Sequence, residues 1–170
     1  MRDANKINHG DEKLIVRILY GGFDAYEKSK NGKLKNKIRY KLYKALNHFF
    51  VKWLCGADIP LSVKMGGGIR IPHSNGIIIH GDAILGENIT IFQQVAIGVI
   101  EGKSKEKAYP PRIGNNVYIG AGAKILGNIT VGDNVKIGAN AVVTRNVPND
   151  VTVVQYNRFI YSKGEENGDT

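Results

Sequence analysis

Residues 113–148 read IGNNVY IGAGAK ILGNIT VGDNVK IGANAV VTRNVP, six blocks of six with no break in the count. Ile or Val opens every block, at 113, 119, 125, 131, 137 and 143. Four places after each opening comes a second small or branched apolar residue: Val117, Ala123, Ile129, Val135, Ala141 and Val147. Neither the 3.6-residue helix period nor two-residue strand alternation produces this spacing. A period of six is that of a parallel β-helix, in which each short flat side of a coil turns an aliphatic residue into a shared core.

The same frame runs upstream less regularly. Counting back from Ile97 gives openings at Ile91, Leu85, Ile79, His73, Gly67 and Leu61, with companions Val95, Ile89, Ala83, Ile77, Ile71 and Met65. Two of these openings are not aliphatic, and one is a histidine. Sixteen residues separate Ile97 from Ile113, so about ten are extruded near 99–112 (VIEGKSKEKAYPPR). That stretch is charged, ends in Pro110–Pro111 and reads as a loop standing off the wall.

A length of 170 residues suits about one domain. The expected division is a helical segment over 1–55, the β-helix over 56–154 and a C-terminal tail over 155–170, disordered past Lys163. A solenoid buries only a thin core and leaves flat faces and ends to cover, so a homo-oligomer is expected. The single cysteine, Cys55, rules out an internal disulfide framework. Placed after Trp53–Leu54, it reads as a buried structural thiol, with a reactive thiol as the alternative. No secretory pattern and no membrane-length apolar run occurs, so a cytoplasmic chain is expected.

The formal net charge is +9, and Lys28, Lys30, Lys33, Lys35, Lys37, Arg39, Lys41 and Lys44 supply much of it. From Ile38 on, apolar residues recur at helical spacing (Ile38, Leu42, Leu46, Phe49 and Trp53, with Tyr43 and Phe50 alongside), giving an amphipathic helix with a basic flank. One reading is a cap helix over the open end of the solenoid. Another is contact of residues 28–53 with an anionic membrane surface. No nucleic-acid motif accompanies the charge, so nucleic acid is not an expected partner. Earlier, 11–20 suits a short helix with Asp11 as N-cap and Leu14, Ile15, Ile18 and Leu19 inward.

Of four histidines, His9 lies in a polar stretch and His48 in the amphipathic helix, and both read as structural or incidental. His73 occupies a position the repeat reserves for an aliphatic and is followed by a turn-forming Ser74-Asn75-Gly76. An imidazole on a rigid coil meets the requirements of a general base, a pKa near working pH and a fixed direction; an interface histidine is the other reading. Such a base works best with a carboxylate on its second ring nitrogen. Asp58, fifteen residues before it and so within one coil of eighteen, is favoured mildly over Asp82 and Glu87.

The stretch DIPLSVKMGGGIRIPHSNGIIIHGDAILGENITIFQQVAIG, followed by PRIGNNVYIGAGAKILGNITVGDNVKIGANAVVTRNVP, resembles the hexapeptide-repeat acetyltransferases, in particular their serine O-acetyltransferase-like branch. The resemblance spans about residues 55–150. It implies a left-handed β-helix, against the usual right-handed crossover. It also implies a homotrimer with sites between subunits, and acetyl-CoA as donor with no metal. His73 matches the family's catalytic base and Asp58 its carboxylate partner. Gly98 matches a glycine near the thioester end, while Ala121, Lys136 and Ala139 match positions along the CoA arm.

Two departures bear on the acceptor. The family's serine enzymes carry Asp before the catalytic His, where Pro72 stands here. They also carry an Arg–His pair in the extruded loop, where Tyr109 and Pro110 stand. A buried charged substrate group without its partner costs several kcal/mol. The expected acceptor is therefore a neutral sugar hydroxyl in capsular or exopolysaccharide assembly, with Tyr109 and His80 as substrate contacts, at the inner face of the cell membrane. The alternative is a serine or other small-metabolite O-acetyltransferase. A non-catalytic or carbonic-anhydrase-like solenoid is a third reading. It lacks support, because only His73 and His80 lie in the solenoid where three zinc histidines are needed.

Overall fold

The computed structural model describes residues 11–100 and 109–155. His9, most of the extruded loop and the end of the tail lie outside the described residues. Helix α1 (Asp11–Ser29) and helix α2 (Leu34–Leu46) form an antiparallel hairpin. The second continues as a π-helical stretch over Asn47–Leu54, closed by the Cys55 N–H donating to the Phe50 carbonyl at 3.2 Å. Twelve two- or three-residue strands follow, from β1 (Lys64–Met65) to β12 (Thr152–Val153).

The strands stack into three parallel four-stranded sheets, ordered β1-β3-β6-β9, β12-β10-β7-β4 and β11-β8-β5-β2. Successive strands move from sheet to sheet, so each coil has three flat sides and three corners. This is the left-handed parallel β-helix, with its helical part at the N-terminal end. In each strand from β2 to β11 one residue is buried and its neighbours in the strand are not: Ile79, Leu85, Ile91, Ile97, Ile113, Ile119, Ile125, Val131, Ile137 and Val143 form the inward column. Short aliphatic strands are enough here because each buries one side chain per wall and pairs above and below.

Pairing corrects the sequence frame in two places. Asp58 pairs with Ile78, Lys64 with Ile84 and Arg70 with Thr90, each 20 residues on, whereas Ile78 pairs with Ala96, 18 on. Two extra residues therefore lie between Arg70 and Ile78, in the turn that carries His73. The inward positions above this turn are Ile59 and Ile71, not Leu61 and His73. Leu61 is buried instead beneath Gly22 of α1. His73 replaces no core aliphatic; it stands exposed on an enlarged corner. At the other end Val131 pairs with Val147, 16 on, so the last block is two residues short.

Helix α1 runs nine residues past the expected end at Tyr20. Gly21–Gly22 lies inside this helix as a contact surface: a Cβ on Gly21 would lie 2.6 Å from the Tyr43 ring. Its buried residues are Ile15, Val16, Ile18, Leu19 and Ala25, while Leu14 is exposed. Thus α1 joins the solenoid core, and the Tyr20 hydroxyl donates to the Gly66 carbonyl at 2.5 Å. Helix α2 fully buries no residue, but Tyr40, Tyr43 and Leu46 rest against the core and Val51 of its continuation is buried, so it shares with α1 the cap role expected of it. Cys55 is half-buried at the edge of the core. No helix among the described residues is long and apolar enough to cross a membrane.

Candidate active site

One corner of the coil collects most of the chemistry-bearing residues. Between the β4-β7-β10-β12 sheet and the β2-β5-β8-β11 sheet it stacks the His73 turn, Phe92–Gln94, Gly120–Gly122 and Gly138–Asn140 in successive coils. Backbone bonds hold this column: Gln94 N–H to the Asn75 carbonyl, Gly122 N–H to Gln93, and Asn140 N–H to Ala121, each 2.8–2.9 Å. Glycine is needed at Gly120, because a Cβ there would sit 2.7 Å from the Ala139 nitrogen. Small residues at 120–122 and 138–139 leave this corner low. Beside it, Gly138, Ala139, Asn140, Val154 and Gln155 line a cleft of about 450 Å³.

At the upper end of the column the exposed His73 ring lies 6.4 Å, centroid to centroid, from Phe92, which in turn lies 5.2 Å from Tyr118. Among the described residues the imidazole has no hydrogen-bond partner. Asp58 occupies the top outward rung of the β2-β5-β8-β11 wall, above Ile78, five residues past His73 around the corner. Its carboxylate is engaged by Lys52, 2.9 Å away, with both side chains half exposed. The structure therefore places Asp58 and His73 at one end of the same wall without joining them. Lys136 points outward on β10, between Tyr118 and Thr152, and has no partner among the described residues.

The other sequence candidates stand at the opposite corner of that wall. His80 donates its backbone N–H to the Ile97 carbonyl at 2.8 Å, which sets it one coil above Gly98, and its Nδ1 accepts from the Asp82 N–H at 3.2 Å. A Cβ on Gly98 would meet nothing closer than Leu126 at 3.9 Å, so open space adjoins the strand there. Tyr109, half exposed, borders a cavity of about 330 Å³ with Tyr26 of α1, Lys64, Asp82, Pro110 and Arg112. From Gln94 to Gly98 the wall is four residues wide, about 13 Å at the usual strand rise. One chain thus separates Gly98, His80 and Tyr109 from His73.

Sequence reasoning missed Phe92, Gln93 and Lys52. Phe92 follows the inward Ile91 and reaches the His73 ring only because of the 20-residue coil. The Gln93 side-chain oxygen is buried without a hydrogen-bond partner among the described residues, one coil from the His73 turn. Lys52 was hidden in a lysine-rich helix that offers no spacing signal toward Asp58.

The family of bacterial transferase hexapeptide repeats (six repeats) matches residues 110–145. Over 152 residues the chain is 40% identical to a serine acetyltransferase of Synechococcus elongatus, covering 89% of this chain and 62% of that protein. A serine acetyltransferase of Staphylococcus aureus is 41% identical over 122 residues, 72% of this chain and 56% of the relative. Among solved structures, serine acetyltransferase isoform 3 of Entamoeba histolytica in complex with cysteine matches with a TM-score of 0.72 at 30% identity, over 93% of this chain and 52% of that one. The Neisseria gonorrhoeae enzyme in complex with serine gives 0.68 at 32% identity, over 86% and 55%. The chain spans roughly three fifths of the length of the curated relatives it matches, 62% and 56% for these two.

These relatives overturn the expected sugar acceptor, since they are serine acetyltransferases and not polysaccharide-modifying enzymes. The argument for a neutral acceptor counted charges at only two positions, Pro72 and Tyr109–Pro110. The folded wall offers others: Lys52 beside Asp58, Lys124 near the His73 corner, and Lys64 and Arg112 beside Tyr109. In sequence and in fold, the chain is a hexapeptide-repeat protein similar to the serine acetyltransferases.

Proposed function

We propose that the chain transfers the acetyl group of acetyl-CoA to the hydroxyl of a small metabolite, with L-serine as the first acceptor, in the cytoplasmic branch leading to cysteine. The observation that carries this reading is the 40% identity to a serine acetyltransferase over 89% of the chain, in agreement with the fold. His73 is the proposed base: it accepts the acceptor's hydroxyl proton as the oxygen attacks, and returns the proton to the departing thiol. Asp58 is the proposed orienting carboxylate, a role that requires its carboxylate to leave Lys52 for the imidazole.

Acetyl-CoA, when bound, supplies the activated acetyl thioester. The low corner at Ala121 and Ala139 and the cleft beside it suit the thin pantetheine arm, and Lys136 suits a phosphate. The open space at Gly98 suits a thioester approaching the backbone. Because Gly98, His80 and Tyr109 stand a wall's width from His73, the proposed assembly is a homotrimer in which this corner of one copy faces the His73 corner of the next.

Thiol release from acetyl-CoA, followed with serine and with a panel of hydroxyl-bearing amino acids and sugars, tests the reading. Serine-dependent release with O-acetylserine as product is expected. Release with sugars and none with serine would refute it.

A further inference from the structure

All of the net charge sits on one segment. Nine of the 24 Lys and Arg fall between Lys28 and Lys52, and no Asp or Glu occurs from Lys28 to Ala57; the remaining fifteen balance the chain's 15 carboxylates. The segment runs from the last turn of α1 through the connecting turn into α2 and its π-helical continuation, and the fold uses only one side of that second helix. Val51 is buried, and Tyr40, Tyr43, Leu46 and Phe50 rest against the core. On the opposite side Leu34, Ile38, Leu42, Phe49, Trp53 and Leu54 form a row exposed to between 51% and 73%. Phe49 and Trp53 stack at 5.6 Å within it.

The lysines border the row. Lys28 and Arg39 pair with Asp24, Lys30 with Glu27 and Lys52 with Asp58. Lys33, Lys35, Lys37, Lys41 and Lys44 are exposed and have no carboxylate partner among the described residues. An apolar row of this length, rimmed by cations, marks a contact surface. Pairing the row with its copy about a twofold axis would set five unpaired lysines against five more, with no acidic residue on the segment to answer them. An anionic lipid surface answers both features. Phosphate headgroups take the ammonium groups, and the acyl boundary takes Leu, Ile, Phe and Trp side chains, with lysine stems lying along the apolar row.

We propose that α2 and the π-helical stretch form a docking face for an anionic phospholipid bilayer, with the Leu34–Trp53 row turned to the lipid and the flanking lysines to the phosphates. This does not rest on the acetyl-transfer reading, and its failure would leave that reading standing.

Trp53 is the chain's single tryptophan and is 72% exposed, so its fluorescence reports the contact directly. The full chain is mixed with vesicles of phosphatidylcholine and phosphatidylglycerol at two to one, and with phosphatidylcholine vesicles alone. A blue shift and co-sedimentation with the anionic vesicles only, weakened by added salt, are expected. Lys37→Gln, Lys41→Gln and Lys44→Gln together should lower the partition coefficient at least about tenfold, as should Leu42→Ser alone, with thermal stability unchanged. Absence of co-sedimentation, equal binding to neutral vesicles, or a blue shift that follows protein concentration without vesicles would each overturn the proposal. The last of these would assign the face to a second copy.

Discussion

Replacing His73 by Ala separates chemistry from folding unusually well here. The imidazole is exposed, makes no hydrogen bond among the described residues and has a tilted ring contact with the half-buried Phe92, which is outside the core. Its removal should shift stability by no more than about 0.5 kcal/mol. Loss of a positioned general base lowers kcat by roughly 10²–10⁴, or about 3–6 kcal/mol at about 1.4 kcal/mol per tenfold. A rate loss of that size with an unchanged melting curve therefore reads the reaction and not the fold. Asp58→Asn gives the second leg. If Asp58 acts only by orienting His73, the double variant should be no slower than His73→Ala alone. The assay is thiol release from acetyl-CoA at saturating acceptor, with melting followed in parallel. Full activity in His73→Ala, or additive losses in the double variant, would refute the assignment.

Ala139→Trp fills the low corner without entering the core, so the KM for acetyl-CoA should rise about tenfold or more while the melting temperature holds. An unaltered KM would remove this corner from the binding path. Asn134 sits at φ +57°, accepts from Asn116 and donates to Asp150 in a column of side-chain amides at the opposite edge of the coil. Asn134→Ala should cost about 1–3 kcal/mol from left-handed backbone and lost hydrogen bonds, read as a lowered melting temperature, with Asn134→Gly milder. The hydrogen bond from Lys28, with Arg39 of α2 also nearby, holds the Asp24 carboxyl below its usual range. A carboxylate with a lowered folded pKa contributes stability above its unfolded pKa and loses it as pH falls through the folded one. Thermal melts should thus show Asp24→Asn destabilised at neutral pH by up to about 1 kcal/mol, with the gap to the parent closing below about pH 4.

The repeat from Ile113 to Ile137 was legible because each inward residue is named by its own hexad, with no knowledge of any partner strand. The His73 turn was not. A two-residue insertion leaves the local pattern of aliphatics plausible, since Leu61 and Ile77 are buried in either frame, and only the pairing of Asp58 with Ile78 exposes the shift. The part played by the Gly21–Gly22 pair was hidden for a related reason. Its meaning lies in the Tyr43 and Leu61 side chains that press on it, one of them 39 residues downstream of Gly22. For the candidate site, the residue pattern pointed to His73 and mildly to Asp58, while the family resemblance supplied Gly98, Ala121, Lys136 and Ala139 and the departures from it Tyr109, with His80 beside the same turn. Their distribution over two corners of one wall, and the capture of Asp58 by Lys52, had no trace in linear spacing.

From its sequence alone, this chain is committed to a three-sided solenoid, because a side chain's inward or outward direction is a local property repeated every six residues. Which corner each functional side chain occupies, which lysine meets Asp58 and which helix face is left without cover were decided only by tertiary structure. Those outcomes depend on how many residues each coil spends between pairings, and that count is set by hydrogen bonds to strands 16, 18 or 20 residues away, or 28 across the extruded loop.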